Sequence, residues 1–215
     1  DGYHLIDAEM VTLDLHDTLE ISEGDGLDIV GPAGTERIGP DDDNLVRRAL
    51  RLVGRTALVR LHTRIPAGAG LGGGSADAAA VLRWAGYTDV EGAATIGADV
   101  AFCLVGGRAR VRGIGEIVEP LPHEPRTFTL LTPPFGCSTP AVYAAWDRLG
   151  GPTGGHRNDL EPAALAVAPE LAAWRDRLAD ATGVRPQLAG SGSTWFVEGA
   201  FPGPGRVVAA TVSGD

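Results

Sequence analysis

Pro66-Ala-Gly-Ala-Gly-Leu-Gly-Gly-Gly-Ser-Ala-Asp-Ala-Ala-Ala-Val-Leu-Arg-Trp84 sets five glycines between Pro66 and Gly74, then runs straight into an alanine-rich stretch of high helix propensity. Glycine lets backbone N–H groups approach a ligand with no Cβ in the way. A helix that follows adds its unpaired N–H groups and the positive end of its dipole. Ser75 is the expected cap, and Asp77 is expected in the first turn, where the dipole favours negative charge. The pattern points to an anion site, for phosphate above all; the alternative is a tightly packed strand–helix junction. A Walker A loop is excluded, because it requires lysine and all 18 basic residues here are arginine. Gly68, Gly70 and Gly73 formally spell a dinucleotide fingerprint. However, Ile65-Pro66 stands where that motif needs a strand, and proline cannot donate to a central ladder.

Around this loop lies an ordinary globular composition: 215 residues, 44% hydrophobic and 21% charged. That length suits one large domain or two small ones. The net charge of −10 argues against nucleic acid, whose phosphates are met by Lys and Arg. No apolar run is long enough to span a membrane. Two cysteines, Cys103 and Cys137, make no disulfide framework, so a reduced, cytoplasmic protein is expected. The chain opens Asp-Gly-Tyr-His without a basic start or an apolar run, so no signal peptide is expected. It also opens without Met, so further residues upstream are expected.

Hydrophobic spacing of 3 and 4 behind Asp41-Asp-Asp-Asn44 predicts a helix over about 44–54. Alternating segments at Leu19–Ser22 and Leu27–Val30 flank Gly24-Asp-Gly26, which reads as a hairpin turn. Strands are expected over 57–62, around 108–118 and over 127–132. Helices are expected over 91–105 (one helix, or a helix and a turn), 140–149 and, once or twice, within 160–181. A last strand or short helix covers 206–212. Strands and helices mix in both halves, which suggests α+β rather than a regular βαβ array. Pro120, Pro122 and Pro125 mark a boundary, dividing the chain into 1–121 and 122–215.

The glycine stretch resembles the second motif of the GHMP small-molecule kinases. Three further segments narrow the resemblance to the 4-diphosphocytidyl-2-C-methyl-D-erythritol kinase family. They are Asp1-Gly-Tyr-His4, Gly97-Ala-Asp-Val-Ala-Phe102 (Ala101 where the family commonly has Pro) and Gly190-Ser-Gly-Ser-Thr194. Ser138-Thr-Pro140 and Asn158-Asp-Leu-Glu161 also fit, and the resemblance covers essentially the whole chain in family order. It implies a two-lobed α+β fold, with an ATP-binding lobe, a smaller α/β substrate lobe and the active site between them. It implies transfer of the γ-phosphoryl of ATP, with Mg²⁺, to the 2-hydroxyl of a cytidine-diphosphate-linked methylerythritol.

Residue by residue, the resemblance places ATP on Pro66, Ala67, Gly68, Ala69, Gly70, Leu71, Gly72, Gly73, Gly74 and Ser75, with Ser75 also near the magnesium shell. Asn44 matches a position near adenine, although helix capping explains it equally well. Thr63 stands where a basic residue is common near adenine. Asp99 would take the proton of the substrate hydroxyl. Tyr3, His4 and Tyr143 would hold the pyrimidine by stacking and edge hydrogen bonds. Gly190, Ser191 and Gly192 would bring backbone N–H groups to the substrate diphosphate or methylerythritol. The family's lysine partner for Asp99 lies on a strand upstream of Asp1, so these 215 residues alone are expected to be a poor catalyst. No metal-binding cluster of protein side chains is expected, since His156, Asp159 and Glu161 lack the ligand count of a closed site.

Two rival functions stand beside this one. Another GHMP kinase, of homoserine or mevalonate type, would have no base to stack on Tyr3, His4 and Tyr143. A nucleotide-binding protein of the same fold without turnover would fit the absent lysine. A Rossmann oxidoreductase comes third.

Overall fold

The computed structural model describes residues 4–31, 39, 42–154 and 157–214. The chain packs as two units. Asp1–Ala67, Gly72–Pro125 and Thr211–Asp215 form the first; Gly68–Leu71 and Arg126–Ala210 form the second. The chain therefore crosses between units four times, twice of them inside the glycine loop.

The first unit holds β1 (Ile6–Val11), β2 (Thr18–Ser22), β3 (Gly26–Val30), α1 (Leu45–Leu52), β4 (Leu58–His62), α2 (Gly73–Trp84), α3 (Val90–Ala94), α4 (Ala98–Val105), β5 (Arg108–Gly113) and β6 (Ile117–Leu121). One sheet runs β1-β5-β6, all antiparallel. In β5, Ala109 and Val111 are fully buried while Arg108, Arg110 and Arg112 face outward. These arginines meet Glu9, Asp7 and Glu119 across the strands. Such exposed pairs add little stability but keep one face of the sheet polar. Pro120 is tolerated in β6 because that strand is an edge.

The second sheet overturns the expected hairpin. Its order is β2-β4-β3, with β2 antiparallel and β3 parallel to β4. The turn at Gly24-Asp-Gly26 reverses the chain, but β2 and β3 do not pair. Leu58-Val-Arg-Leu-His62 lies between them because it buries Val59 and Leu61 almost completely and so takes the central place. Val46, Ala49 and Leu50 of α1, Ala78, Val81 and Leu82 of α2, and Val100 of α4 complete this core. The helix expected over 91–105 is two helices, α3 and α4, separated by Thr95–Gly97.

The second unit holds β7 (Thr127–Leu131), α5 (Thr139–Arg148), α6 (Glu161–Val167), α7 (Leu171–Thr182), β8 (Gln187–Leu188), β9 (Trp195–Glu198) and β10 (Arg206–Ala210). Its antiparallel sheet runs β10-β7-β9-β8. Val142 of α5, Leu171 and Leu178 of α7, and Trp195 of β9 are fully buried in its core. Trp84 is half exposed, with the Arg55 guanidinium over its ring. After β10 the chain returns to the first unit, where Thr211 bridges Leu13. No helix of the described residues is long and apolar enough to cross a membrane, and both cysteines are free thiols.

Candidate functional site

In the glycine loop the carbonyls are tied and the amides are left open. Within the second unit, Gly68 O accepts from Cys137 N and Ser193 N, each at 3.0 Å, and Ala69 O accepts from Thr194 N at 3.0 Å. Among the described residues, nothing accepts from the amides of Gly70 through Ser75. Gly70 has φ +73, and a Cβ there would run into the carbonyl oxygens of Ala189 and Gly192. The two glycine motifs of the second unit, far apart in sequence, are thus in direct backbone contact.

The helix begins earlier than expected. Gly72, in the left-handed region at φ +68, is the cap of α2, and Ser75 lies inside the first turn, buried and without a side-chain cap hydrogen bond. The physical reason is backbone geometry: a residue with a Cβ is disfavoured at that φ, whereas glycine turns the chain into the helix there. Asp77 consequently lies in the second turn, not the first, and is buried. Its carboxyl is pushed up to about 8, first by burial and then by the neighbouring Asp17. At neutral pH it is a neutral acid, not the dipole-stabilised anion expected.

Asp17 belongs to no motif that would mark it in the sequence. Its carboxylate accepts from Ile65 N at 2.9 Å, from Arg64 N, and from Thr63 Oγ1 at 3.2 Å. It therefore braces the chain just before Pro66. Thr63 is buried, and its hydroxyl also lies 3.0 Å from Ile65 O, so it belongs to this brace. Asn44 caps α1, accepting from Val46 N at 2.9 Å and donating to Gly39 O at 2.8 Å.

Asp99 sits in the first turn of α4, behind Gly97. Gly115, from the turn between β5 and β6, packs against the Ala98 backbone so closely that a Cβ would not fit, which fixes this helix start. Asp99 is half-buried, with no hydrogen-bond partner among the described residues. Burial raises its carboxyl above the ordinary value, outweighing the helix end that would lower it. The higher the pKa of a carboxylic acid, the stronger its carboxylate is as a base. One turn on, burial and then Asp99 push the Cys103 thiol up to about 12, so it remains a thiol.

In the second unit, Gly190-Ser-Gly192 forms the turn between β8 and β9, with Gly192 N donating to Ala189 O at 2.8 Å. The Ser191 and Thr139 hydroxyls are 2.8 Å apart. Asn158 donates to Leu188 O at 2.8 Å and to Gly190 O at 2.7 Å. Tyr143 lies half-buried on α5 and His4 half-buried before β1. Tyr3 and His156 fall outside the described residues. Among the described residues, no three His, Cys, Asp or Glu side chains gather in a way that could hold a metal.

The pattern of the GHMP kinases N terminal domain matches residues 44–107, which include the glycine loop and Asp99. The chain is 40% identical to a 4-diphosphocytidyl-2-C-methyl-D-erythritol kinase of Paracoccus denitrificans, over 91% of this chain and 78% of that one. It is 38% identical to the Ruegeria pomeroyi protein of the same name, over 96% and 83%. A crystal structure of 4-(cytidine 5'-diphospho)-2C-methyl-D-erythritol kinase superposes with TM-score 0.72 at 31% identity, covering 99% of this chain and 92% of that one. A homoserine kinase from Cytophaga hutchinsonii superposes with TM-score 0.54 at 17% identity, over 95% and 88%, which is likeness of fold alone.

Proposed function

The chain belongs to the 4-diphosphocytidyl-2-C-methyl-D-erythritol kinase family of GHMP kinases, and from that premise we propose how its residues carry out the family's reaction. It is an enzyme, a small-molecule kinase that phosphorylates the 2-hydroxyl of 4-diphosphocytidyl-2-C-methyl-D-erythritol with ATP, in non-mevalonate isoprenoid precursor synthesis. Phosphoryl transfer needs positioning and charge stabilisation more than covalent chemistry. The observation that carries the reading is the run of open amides from Gly70 to Ser75 at the start of a twelve-residue helix. Those donors suit phosphate oxygens and need no lysine.

Pro66 to Ser75 hold the ATP phosphates, and Asn44 lies toward the adenine while capping α1. Mg²⁺, when bound, neutralises charge between the transferring phosphates. The buried Ser75 hydroxyl in the first turn of α2 would be a protein oxygen available to the ion's shell. Asp99 accepts the proton of the substrate hydroxyl; burial supports that role by raising its basicity. Tyr3, His4 and Tyr143 hold the cytosine, and the Gly190-Ser-Gly192 turn offers amides to the substrate phosphates.

The test is ADP release from Mg-ATP by the whole gene product, with and without 4-diphosphocytidyl-2-C-methyl-D-erythritol. Saturable release that requires this substrate is expected. Release driven equally by homoserine or mevalonate, or none from folded protein, overturns the reading.

A further inference from the structure

Asn158 has no part in the chemistry above, yet its carboxamide is almost fully engaged. Both hydrogens of Nδ2 are taken, one by Leu188 O and one by Gly190 O, and Oδ1 accepts from Leu160 N at 2.9 Å. The two carbonyls bracket the entry to the turn: Leu188 ends β8 and Gly190 opens the glycine motif. A trans peptide points its C=O and N–H in opposite directions. Holding Gly190 O against Asn158 therefore turns the Ser191 N–H the other way. Holding Leu188 O does the same for Ala189 N–H, which points to Thr194 O at 2.9 Å. The Ser191 amide itself has no acceptor among the described residues. Gly190 (φ +52) and Gly192 (φ +87) both take the left-handed region that glycine alone enters easily, so the direction of this amide depends on the contacts that hold the turn.

We propose that Asn158 is a positioning residue: by taking the Gly190 carbonyl it aims the Ser191 amide outward, fixing a donor for a phosphate group of the substrate. The proposal rests on the reading of this turn as substrate-facing. Thr139 supports the same turn through the Ser191 hydroxyl, and Gly70 packs against the turn's backbone, so the clamp also bears on where the turn meets the glycine loop.

Asn158→Ser separates the roles, since serine can still accept from Leu160 N but cannot reach both carbonyls. The KM for 4-diphosphocytidyl-2-C-methyl-D-erythritol is expected to rise about tenfold or more, of the order that two lost hydrogen bonds give, with KM for ATP and kcat changed less than about threefold. Amide hydrogen exchange supplies the second readout. In the wild type the Gly192 amide, bonded to Ala189 O, is expected to be protected, and in Asn158→Ser its exchange is expected to accelerate about tenfold while amides of β4 stay unchanged. An unchanged substrate KM in an active variant overturns the positioning role. A wild-type Gly192 amide that exchanges like free chain overturns the clamp without any variant. A wild type that releases no ADP with this substrate overturns the function reading instead, and exchange still decides the clamp.

Discussion

Replacing Asp77 by Asn removes a buried acid without changing its shape. In the folded protein this carboxyl ionises near about 8, against 3.8 for an ordinary aspartate, because burial and the adjacent Asp17 both oppose its negative charge. Between those values the folded chain holds a proton that the unfolded chain has released. Stability from this group is thus complete below the lower value and is lost as pH rises toward the upper one. Each pH unit crossed is worth ~1.36 kcal/mol, so the three or so crossed by neutral pH amount to roughly 2–4 kcal/mol, allowing for relaxation around the charge. That is a large share of the ~5–15 kcal/mol by which a typical domain is stable. Asn has no proton to exchange, so Asp77→Asn escapes the loss. Urea unfolding of both proteins at several pH values from about 5 to about 9 checks this. The variant should gain on the wild type steadily across that range, the gap levelling above about 8. Parallel curves, or a variant that loses ground to the wild type as pH rises, would refute a neutral, destabilised Asp77 and point to a charged group with a partner.

The remaining expectations concern the chemistry and the loop. Asp99→Asn should lower kcat by about 10²-fold or more while nucleotide affinity, read by titration calorimetry, stays within about threefold. The wild-type rate should fall on the acid side through a value above the ordinary Asp range, and that limb should disappear in the variant. Gly70→Ala meets both an unfavourable φ of +73 and the Ala189 and Gly192 carbonyl oxygens, whereas Gly86→Ala, at φ +74, meets nothing within 4 Å. Gly86→Ala should cost only the backbone strain of about 1–2 kcal/mol, and Gly70→Ala clearly more, with loss of ATP binding. Thermal midpoints of the two side by side measure the clash; equal shifts would mean the two glycine motifs are not in contact.

Local sequence determined much of this protein. The 3-and-4 spacing behind Asn44 gave α1, because cap chemistry and one apolar face act within a single helix. Five glycines before an alanine run gave the loop of open amides and α2, because unpaired amides at a helix start follow from the chain itself. Gly97-Ala-Asp-Val-Ala-Phe102 marked Asp99 by its likeness to relatives. What the sequence left open was settled by long-range packing. Whether β2 met β3 or β4 depended on which strand could bury Val59 and Leu61 at the centre of a sheet. The helix start at Gly72 was set by a left-handed backbone angle that no residue pattern prints. Asp77, beside the same loop, is neutral because Asp17, sixty residues earlier, and the surrounding core deny its charge water. Asp17 holds backbone amides 47 and 48 residues away, and Asn158 holds backbone carbonyls 30 and 32 residues away. A backbone carbonyl or amide carries no residue identity, so only the folded chain could reveal the partners those two side chains hold.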